Sequence, residues 1–506
     1  MKKKNNHNLL NTRPSKTVTV NLGIDLKFKL ALSLHQQQRL QEAKVLYESI
    51  LTANPSHAET SHLLGMLISQ MGNQKRAIEL ISNAINLDPD NSNYYNNRGL
   101  IFQKLTLYKD ALNDFEKSIL LDSKLAQAHC NMGNTFQELQ KFNDALACFN
   151  TAISLQPDYA DAYFNRGNLY IILQNIKNAI EDFDQALRLF PGDADYMYNK
   201  SIALLLDGQY EMGWKLYESR WDRQATLHHR RQFSTPLWLG QHSIRFKSIL
   251  IYAEQGLGDS IQFIRYIPML VELGAVVFIE IQPPLFELFQ SITGVSKWIK
   301  KGDQLPSFDF HCPLMSLPLA FKTKLENIPF SKNYLVTDKT KVSFWENKLG
   351  YKKRPRIGIA WSGSSIHKND HNRSISLAAF SLMLCEDVDF YSLHKDYRAH
   401  DVEFLSKHPK IIDYSYELSD FSDTASLIEL MDLIITVDTS IAHVSGALGK
   451  LTWVLLPHDC DFRWLLHRED SPWYESVKLF RQKSYRNWEQ TLLDVGLKLK
   501  NFIADL

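Results

Sequence analysis

The sequence lacks a long hydrophobic run, because no stretch of its 506 residues approaches about 18 consecutive apolar residues. We therefore expect no membrane span, and the asparagines that follow Lys2–Lys4 do not resemble a secretory leader. The net charge is only +1, which gives no general attraction to nucleic acid or anionic membranes. The five cysteines form no CxxC pair, so we expect free thiols in the cytoplasm rather than disulfides or a zinc site.

A 34-residue repeat fills the N-terminal part of the chain. One repeat position carries small residues, another carries glycine, alanine or serine, and a third carries large apolar residues. The first set is Ala43, Ala77, Ala111, Ala145, Ala179 and Gly213; the third is Tyr47, Ile81, Phe115, Phe149, Phe183 and Tyr217. This pattern resembles the tetratricopeptide repeat (TPR), in which two amphipathic helices cross closely and hairpins stack to build the core.

A different pattern follows the repeats. Apolar runs that predict buried strands alternate with helical stretches, as in the units of a parallel sheet. The predicted strands are SILIYA at 248–253, AVVFIEI at 275–281, RIGIAW at 356–361, LIITV at 433–437 and TWVLL at 452–456, with another near 390–393. A charged connector near 338–355 separates two such blocks, so we expect two doubly wound halves with a cleft between them.

The first candidate loop is EQGLGD at 254–259, between a strand and a helix. Gly256 and Gly258 permit a tight turn and close approach of the backbone to a ligand, and a helix N-terminus suits anionic oxygens. Asp259 has two interpretations. It either caps its own helix or faces the cleft as a general base.

The second candidate loop begins at Ser362 and Gly363 and extends to Arg373 and Ser374. Arginine holds phosphate through two parallel hydrogen bonds, so Arg373 is a candidate phosphate ligand. The alternative is that Arg373 is a surface cation and Ser374 a helix cap.

The third candidate segment starts where a buried strand runs into Asp438, and Thr439 and Ser440 open a helix that carries His443. The helix N-terminus again suits a phosphate. The alternative is a capped core helix in which His443 makes an internal hydrogen bond.

Taken together, these segments resemble glycosyltransferases of the ADP-heptose:lipopolysaccharide heptosyltransferase type. The resemblance rests on two segments. The first is the strand and loop at 249–259, which ends in a glycine–aspartate pair, and the second is DTSIAH at 438–443 followed by GALG at 446–449. Bacterial TPR proteins that carry such a domain also share EQGLGDSIQFIRY at 254–266, HCPLMSLPLAF at 311–321 and the WSG…RS segment at 361–374.

The resemblance implies a multidomain protein: an all-α TPR solenoid followed by an α/β GT-B domain with two Rossmann-like halves. The corresponding ranges are a disordered tail at 1–23, about six repeats at 24–227 and a connector at 228–246. The N-terminal GT-B half then spans 247–345, and the half that binds a nucleotide-sugar spans 346–506. The short first half suggests that the solenoid contributes to acceptor recognition.

The resemblance also implies a chemistry, the transfer of a sugar from a nucleotide-diphosphate donor to an acceptor hydroxyl. Asp259 takes the place of the general base, Arg373 roughly that of a basic residue on the diphosphate, and Asp438, Thr439, Ser440 and His443 that of the donor-binding segment. We expect no cofactor besides the donor and no metal. The Asp459-Cys460-Asp461 spacing suits a metal motif, but we interpret it as a surface turn.

A second candidate surface lies in the solenoid, where one repeat position carries Asn97, Asn131, Asn165 and Asn199. Such a ladder of amides can grip an extended polypeptide, as in protein O-GlcNAc transferases, so a protein or peptide partner is expected in the TPR groove. The alternative is that these amides bond neighbouring helices. The competing functions are a non-catalytic TPR scaffold and an adaptor that binds a nucleotide-sugar through an inactive transferase-like domain.

Overall fold

The computed structural model describes residues 16–227, 230–407 and 410–505, with side chains from residue 23 onward. Residues 1–15 of the predicted tail lie outside the described residues, and helix α1 begins at Lys16, before the predicted solenoid boundary. Twelve helices then follow one another within the described part of the repeats. They are α1 Lys16–Gln36, α2 Leu40–Ala53, α3 Ala58–Gln70, α4 Gln74–Leu87, α5 Ser92–Lys104, α6 Tyr108–Leu121, α7 Ala126–Glu138, α8 Phe142–Leu155, α9 Ala160–Ile172, α10 Ile176–Leu189, α11 Ala194–Leu206 and α12 Tyr210–Tyr217.

The repeat positions described above lie where the two helices of each hairpin pack against each other. The five alanines of the 34-residue series are fully buried. A Cβ added at Gly99 would lie 2.7 Å from the Phe115 ring, and one at Gly133 would lie 2.8 Å from the Phe149 ring. Because a carbon contact needs about 3.5–4.0 Å, only glycine lets these helices approach so closely.

The turn inside each hairpin also repeats. One residue of the turn has a left-handed backbone conformation, and in two repeats it is a glycine: Gly72, with a φ of 90°, and Gly208, with a φ of 81°. Four other repeats put Gln38, Thr106, Gln140 and Gln174 into the same conformation, with φ between 58° and 61°. The turn geometry is therefore set by the stacked helices even where the residue type disfavours it.

The chain forms two compact units, one up to Leu169 and one from Tyr170 onward. Helices α10 to α12 thus belong to the same unit as the α/β region. Aromatic packing explains this, because the Trp214 ring lies 5.9 Å from the Phe263 ring and 5.7 Å from the Phe462 ring, both in the α/β region.

The α/β region contains two parallel sheets. Their strands within the described residues are β1 Ser248–Tyr252, β2 Val276–Ile281, β3 Val295–Lys300, β4 Phe310–Pro313, β5 Arg356–Ala360, β6 Asp389–Ser392, β7 Ile411–Ile412, β8 Leu433–Val437, β9 Thr452–Leu456 and β10 Val477–Arg481. The first sheet has the order β3-β2-β1-β4 and the second the order β10-β9-β8-β5-β6-β7. When the strands of the second sheet are counted in chain order from the β7 edge, they run third, second, first, fourth, fifth, sixth, which is the order of a doubly wound α/β fold. The first sheet runs third, second, first, fourth, which is the start of the same order.

The described helices of this region are α13 Leu257–Phe263, α14 Ile267–Glu272, α15 Phe286–Phe289, α16 Leu317–Ala320, α17 Lys339–Leu349, α18 Asp370–Arg373, α19 Leu377–Phe380, α20 Ala399–Lys407, α21 Phe421–Glu429, α22 Ser440–Ala447 and α23 Glu489–Ala504. Within the described ranges, no helix combines the length and apolarity that a membrane span requires.

The strand order fixes where a ligand would approach. In an open parallel sheet the crevice lies at the carboxyl ends of the two strands where the order reverses. In the second sheet these strands are β5 and β8, and in the first sheet β1 and β4. The three candidate loops follow β1, β5 and β8, so all three lie at a reversal point.

Candidate functional site

The first loop ends in a capped helix. Gly256 is the residue before α13, and its N–H donates to Asp259 Oδ2 at 2.7 Å. The capping interpretation of Asp259 therefore holds for one oxygen of the carboxylate. The other oxygen, Oδ1, accepts from the Nη2 of Arg463.

Arg463 joins two carboxylates. Its Nη1 donates to Asp461 Oδ1 at 2.7 Å while its Nη2 is paired with Asp259. Burial alone would lower the pKa of the guanidinium, but Asp461 and Asp259 raise it above its ordinary value, so the group stays charged. The surface-turn interpretation of 459–461 holds only in part, because Asp459 and Asp461 are partly exposed in an irregular segment, whereas Cys460 is buried and Asp461 pairs with this arginine.

The third segment forms the N-terminus of α22. Thr439 is the N-cap, and its hydroxyl accepts from the Ile441 N–H at 3.2 Å. Ser440 is the first residue of the helix and is partly exposed. Asp438 lies between the end of β8 and Thr439, and burial and the nearby Asp461 raise the pKa of its carboxyl to about 6.

His443 lies buried one turn into α22. Its Nδ1 is 2.9 Å from the Tyr474 hydroxyl, and its ring stacks on Trp464 at 5.5 Å between centroids. Burial lowers its pKa well below the ordinary value, and nearby arginines including Arg463 lower it further, so the ring is neutral. The internal hydrogen bond of the alternative interpretation is therefore present.

Helices α13 and α22 meet at Gly258. A Cβ on Gly258 would lie 2.7 Å from Cδ2 and 3.4 Å from Nε2 of His443. A side chain on Gly258 would therefore separate the two helices near their N-termini. The first turns of two helices, one following a strand of each sheet, thus pack against each other.

The second loop brings an arginine to the same place. Arg373 Nη1 donates to the backbone oxygen of Asp438 at 2.9 Å. A Cβ on Gly363 would lie 2.6 Å from Arg373 Nη2, so the guanidinium lies against bare backbone. Arg373 Nε is buried and has no hydrogen-bond partner among the described residues. The surface-cation alternative does not fit these contacts.

The rest of this loop is tied together by side chains. Ser374 accepts from the Gly363 N–H at 3.0 Å and donates to Asp370 at 2.7 Å. Arg398 donates to the Gly363 backbone oxygen at 3.1 Å and pairs with Asp370. Ser374 thus fixes the loop instead of capping a helix; Ser376 caps the next one. Ser362 is partly exposed beside Gly363.

The loop tip also lies near the acidic groups. Burial lowers the pKa of His367 and the charge of Arg373 lowers it further, whereas Asp259 and Asp461 oppose this shift. Contacts place Asp259 and Arg373 in one neighbourhood, because Gly258 packs on His443 of α22 and Arg373 is bonded to the backbone of Asp438 just before that helix.

A buried acidic cluster that the sequence did not predict lies beside this neighbourhood. Glu254 follows β1 and pairs with Arg220 at 3.0 Å, and Arg220 also binds Glu218 at 2.6 Å and the Ser316 hydroxyl at 2.7 Å. Burial raises the pKa of Glu254 to about 7, helped by Glu218 and opposed by Arg220. Glu254 and Ser316 follow β1 and β4, the strands at the reversal point of the first sheet, and Arg220, which follows α12, is bonded to both.

The asparagine ladder makes contacts between repeats. Asn97 Nδ2 lies 2.8 Å from His62 Nε2, and burial lowers the pKa of His62 to about 4, so its neutral ring accepts. Asn131 donates to Asn96 Oδ1 at 2.9 Å, and Asn165 to Cys130 Sγ at 3.3 Å. These three amides bond the preceding repeat, as the alternative interpretation expects. Asn199 lies in α11, in the second unit.

A cavity of about 570 Å³ lies elsewhere in the second unit, lined in part by Gln174–Lys177 and Leu465–Arg468. Among the described residues that line it, none belongs to the predicted site. Leu465 and His467 have φ of 52° and 54°, so this segment is locally strained.

Comparisons with known proteins identify the repeats. Sequence profiles of the tetratricopeptide repeat match residues 34–99, 92–125, 133–174 and 160–193. The chain therefore carries TPR repeats, which indicate a protein-interaction scaffold, followed by an α/β region with parallel sheets.

A curated relative is Protein FlbA of Caulobacter vibrioides, which is 26% identical over 344 residues. The match covers 60% of this chain and 55% of that protein, so the chain spans about half the length of this relative.

Solved structures with likeness include pilF of Pseudomonas aeruginosa, with 17% identity, a TM-score of 0.36 and coverage of 40% of this chain and 92% of that one. A thermophilic TPR protein of Thermus thermophilus has 20% identity, a TM-score of 0.34 and coverage of 36% and 99%. YrrB, described as a TPR protein with an unusual peptide-binding site, has 22% identity, a TM-score of 0.28 and coverage of 34% and 90%.

Proposed function

We propose that the α/β region is a GT-B glycosyltransferase of the heptosyltransferase-like type, which moves a sugar from a nucleoside-diphosphate donor to an acceptor hydroxyl. The observation that carries this proposal is the meeting of α13 and α22 at Gly258 and His443. It joins the reversal points of two doubly wound sheets, with Arg373 and Arg463 beside two helix N-termini. This combination of dipoles and guanidinium groups suits a diphosphate.

In the proposed reaction, the bond between the sugar C1 and the diphosphate oxygen breaks, and its electron pair stays on the leaving diphosphate. The acceptor oxygen forms the new bond to C1, and its proton passes to Asp259. The N-terminus of α22 and Arg373 stabilise the charge that develops on the leaving group. Asp259 lies in the first turn of α13, and Thr439 is the N-cap of α22.

We propose further that the TPR repeats recruit the protein that carries the acceptor hydroxyl. This rests on the scaffold character of the repeats, since the three ladder amides described above already bond neighbouring repeats. The five free cysteines fit activity in the reducing cytoplasm.

The test has two steps. The purified chain is screened by thermal shift against a panel of nucleotide-sugars, and proteins from matched cells with and without the gene are searched by mass spectrometry for a sugar adduct. Restoring the gene with Asp259→Asn is expected to leave the adduct absent, because the proton acceptor is lost.

Three outcomes separate the competing functions. A stabilising donor together with an adduct that depends on Asp259 supports the enzyme. A stabilising donor without any adduct supports the adaptor that binds a nucleotide-sugar. No stabilisation by any donor supports the TPR scaffold and contradicts the proposal.

A further inference from the structure

Arg463 connects the proposed base to the donor side of this neighbourhood. It lies on the segment after β9, and its electrostatic influence reaches Asp438 and His443 at the N-terminus of α22. At the same time it is bonded to Asp259 on α13. The residue is therefore bonded to the proposed base and acts electrostatically on the proposed donor-binding segment.

The bonding of Arg463 is incomplete. Its side chain is only 9% exposed, yet its Nε has no hydrogen-bond partner in the described parts of the chain. A buried guanidinium N–H without an acceptor is costly, because the group is removed from water. The unused donor marks a place for a further acceptor oxygen.

The position of Arg463 does not depend on Asp259 alone. Its guanidinium lies 4.5 Å from the centroid of the Phe462 ring and 5.7 Å from that of Phe263, and Asp461 accepts from both its Nη1 and its backbone N–H. Loss of the Asp259 contact would therefore leave the arginine in place.

The present pairing keeps Asp259 occupied. One carboxylate oxygen accepts from the Gly256 N–H and the other from Arg463. A general base must lie within hydrogen-bond reach of the proton that it takes. While Arg463 holds Oδ1, an acceptor hydroxyl has to compete with a charged donor for it.

From these contacts we infer that Arg463 exchanges partners, leaving Asp259 for the oxygens of the donor diphosphate, so that donor binding frees the base for the acceptor. Arg463 then binds the donor and orders the reaction, with the donor bound first. The inference rests on the proposed function. Its physical basis is that guanidinium groups bind phosphate in bidentate fashion, and that a diphosphate offers more charge than one carboxylate.

The exchange makes an unusual prediction, that removing the proposed base tightens donor binding. In Asp259→Asn the arginine no longer has to leave a carboxylate, so the dissociation constant for a nucleoside diphosphate should fall by about threefold or more. In Arg463→Gln the same constant should rise by about tenfold. The probes are ADP, UDP, GDP and CDP, titrated calorimetrically into the full chain.

Loss of charge repulsion at residue 259 would also tighten binding, so the double variant is decisive. If Arg463 carries the effect, Asp259→Asn in the Arg463→Gln background gives no gain. A gain that persists there overturns the exchange. The matched controls are Arg468→Gln and Asp470→Asn, an ion pair on the same segment with no contact to Asp259 among those described, and neither should change binding.

Failure of this inference is distinguishable from failure of the proposed function. If the wild-type chain binds none of the four diphosphates, the proposed donor site is wrong. If it binds one of them but Asp259→Asn does not tighten binding, the ion pair is only structural and the exchange is overturned.

Discussion

Replacing Gly258 with valine tests the contact between α13 and α22. The first added carbon would lie 2.7 Å from His443 Cδ2, about 1 Å inside an ordinary carbon contact. His443 cannot easily withdraw, because the Tyr474 hydroxyl and the Trp464 ring hold it. We therefore expect the helices to be pushed apart.

The size of the effect follows from the crowding. Overpacking a buried contact costs about 1–3 kcal/mol, and three added heavy atoms place this variant near the upper end. Valine has a higher helix propensity than glycine, but this offsets only about 0.3 kcal/mol of the lost stability. Because the second unit runs from Tyr170 to the end of the chain, a net loss of about 2 kcal/mol should lower its melting temperature by roughly 3 °C.

The assay is thermal unfolding together with calorimetric titration of nucleoside diphosphates. Separation of the two helix N-termini should weaken binding by at least about tenfold. Gly23→Val is the matched control, because a Cβ there meets nothing within 4 Å. If Gly258→Val melts and binds like the wild type, the two helices do not meet as described, and the reasoning fails.

Two further substitutions test the buried cluster and the ladder. The folded pKa of Glu254 is raised from 4.5 to about 7, so its stabilising contribution is complete below about pH 4.5 and is lost as the pH rises through 7. Between pH 4.5 and 7, the free energy of unfolding measured in urea should therefore fall by about 3 kcal/mol more in the wild type than in Glu254→Gln. If the free energies of both proteins change with pH in the same way, the assigned burial is wrong. Asn131→Ala removes the 2.9 Å bond to buried Asn96 and should lower the free energy of unfolding by about 1–2 kcal/mol. Unchanged stability in urea would instead favour an amide reserved for a bound peptide.

The central strands could be predicted from the sequence, whereas the edges could not. Strands β8 and β9 have the predicted bounds, and β1, β2 and β5 differ by one residue at an end. The missed strands β3, β4, β7 and β10 all lie at sheet edges. An edge strand is short or has a partly exposed face, so it lacks the continuous apolar run by which buried strands are recognised.

The sequence predicts the candidate site only where neighbouring residues in the chain carry the pattern. Glycine-bearing loops and helix starts after strands point to Asp259, Gly363 and Thr439, and the strand order explains why such loops converge. The pairing of Asp259 with Arg463 spans 204 positions, and no local spacing encodes it. The same holds for Arg220 and Glu254, which are joined only after the last hairpin packs on the first sheet.

The central claim is that two helix N-termini and their arginines form one diphosphate site. The most direct measurement is a calorimetric titration of the full chain with ADP, UDP, GDP and CDP, repeated with Arg373→Gln and with the control Arg468→Gln. The account predicts saturable binding of at least one diphosphate, weakened about tenfold by Arg373→Gln and unchanged by the control. Absence of saturable binding by the wild type, or equal affinity in Arg373→Gln, would contradict it.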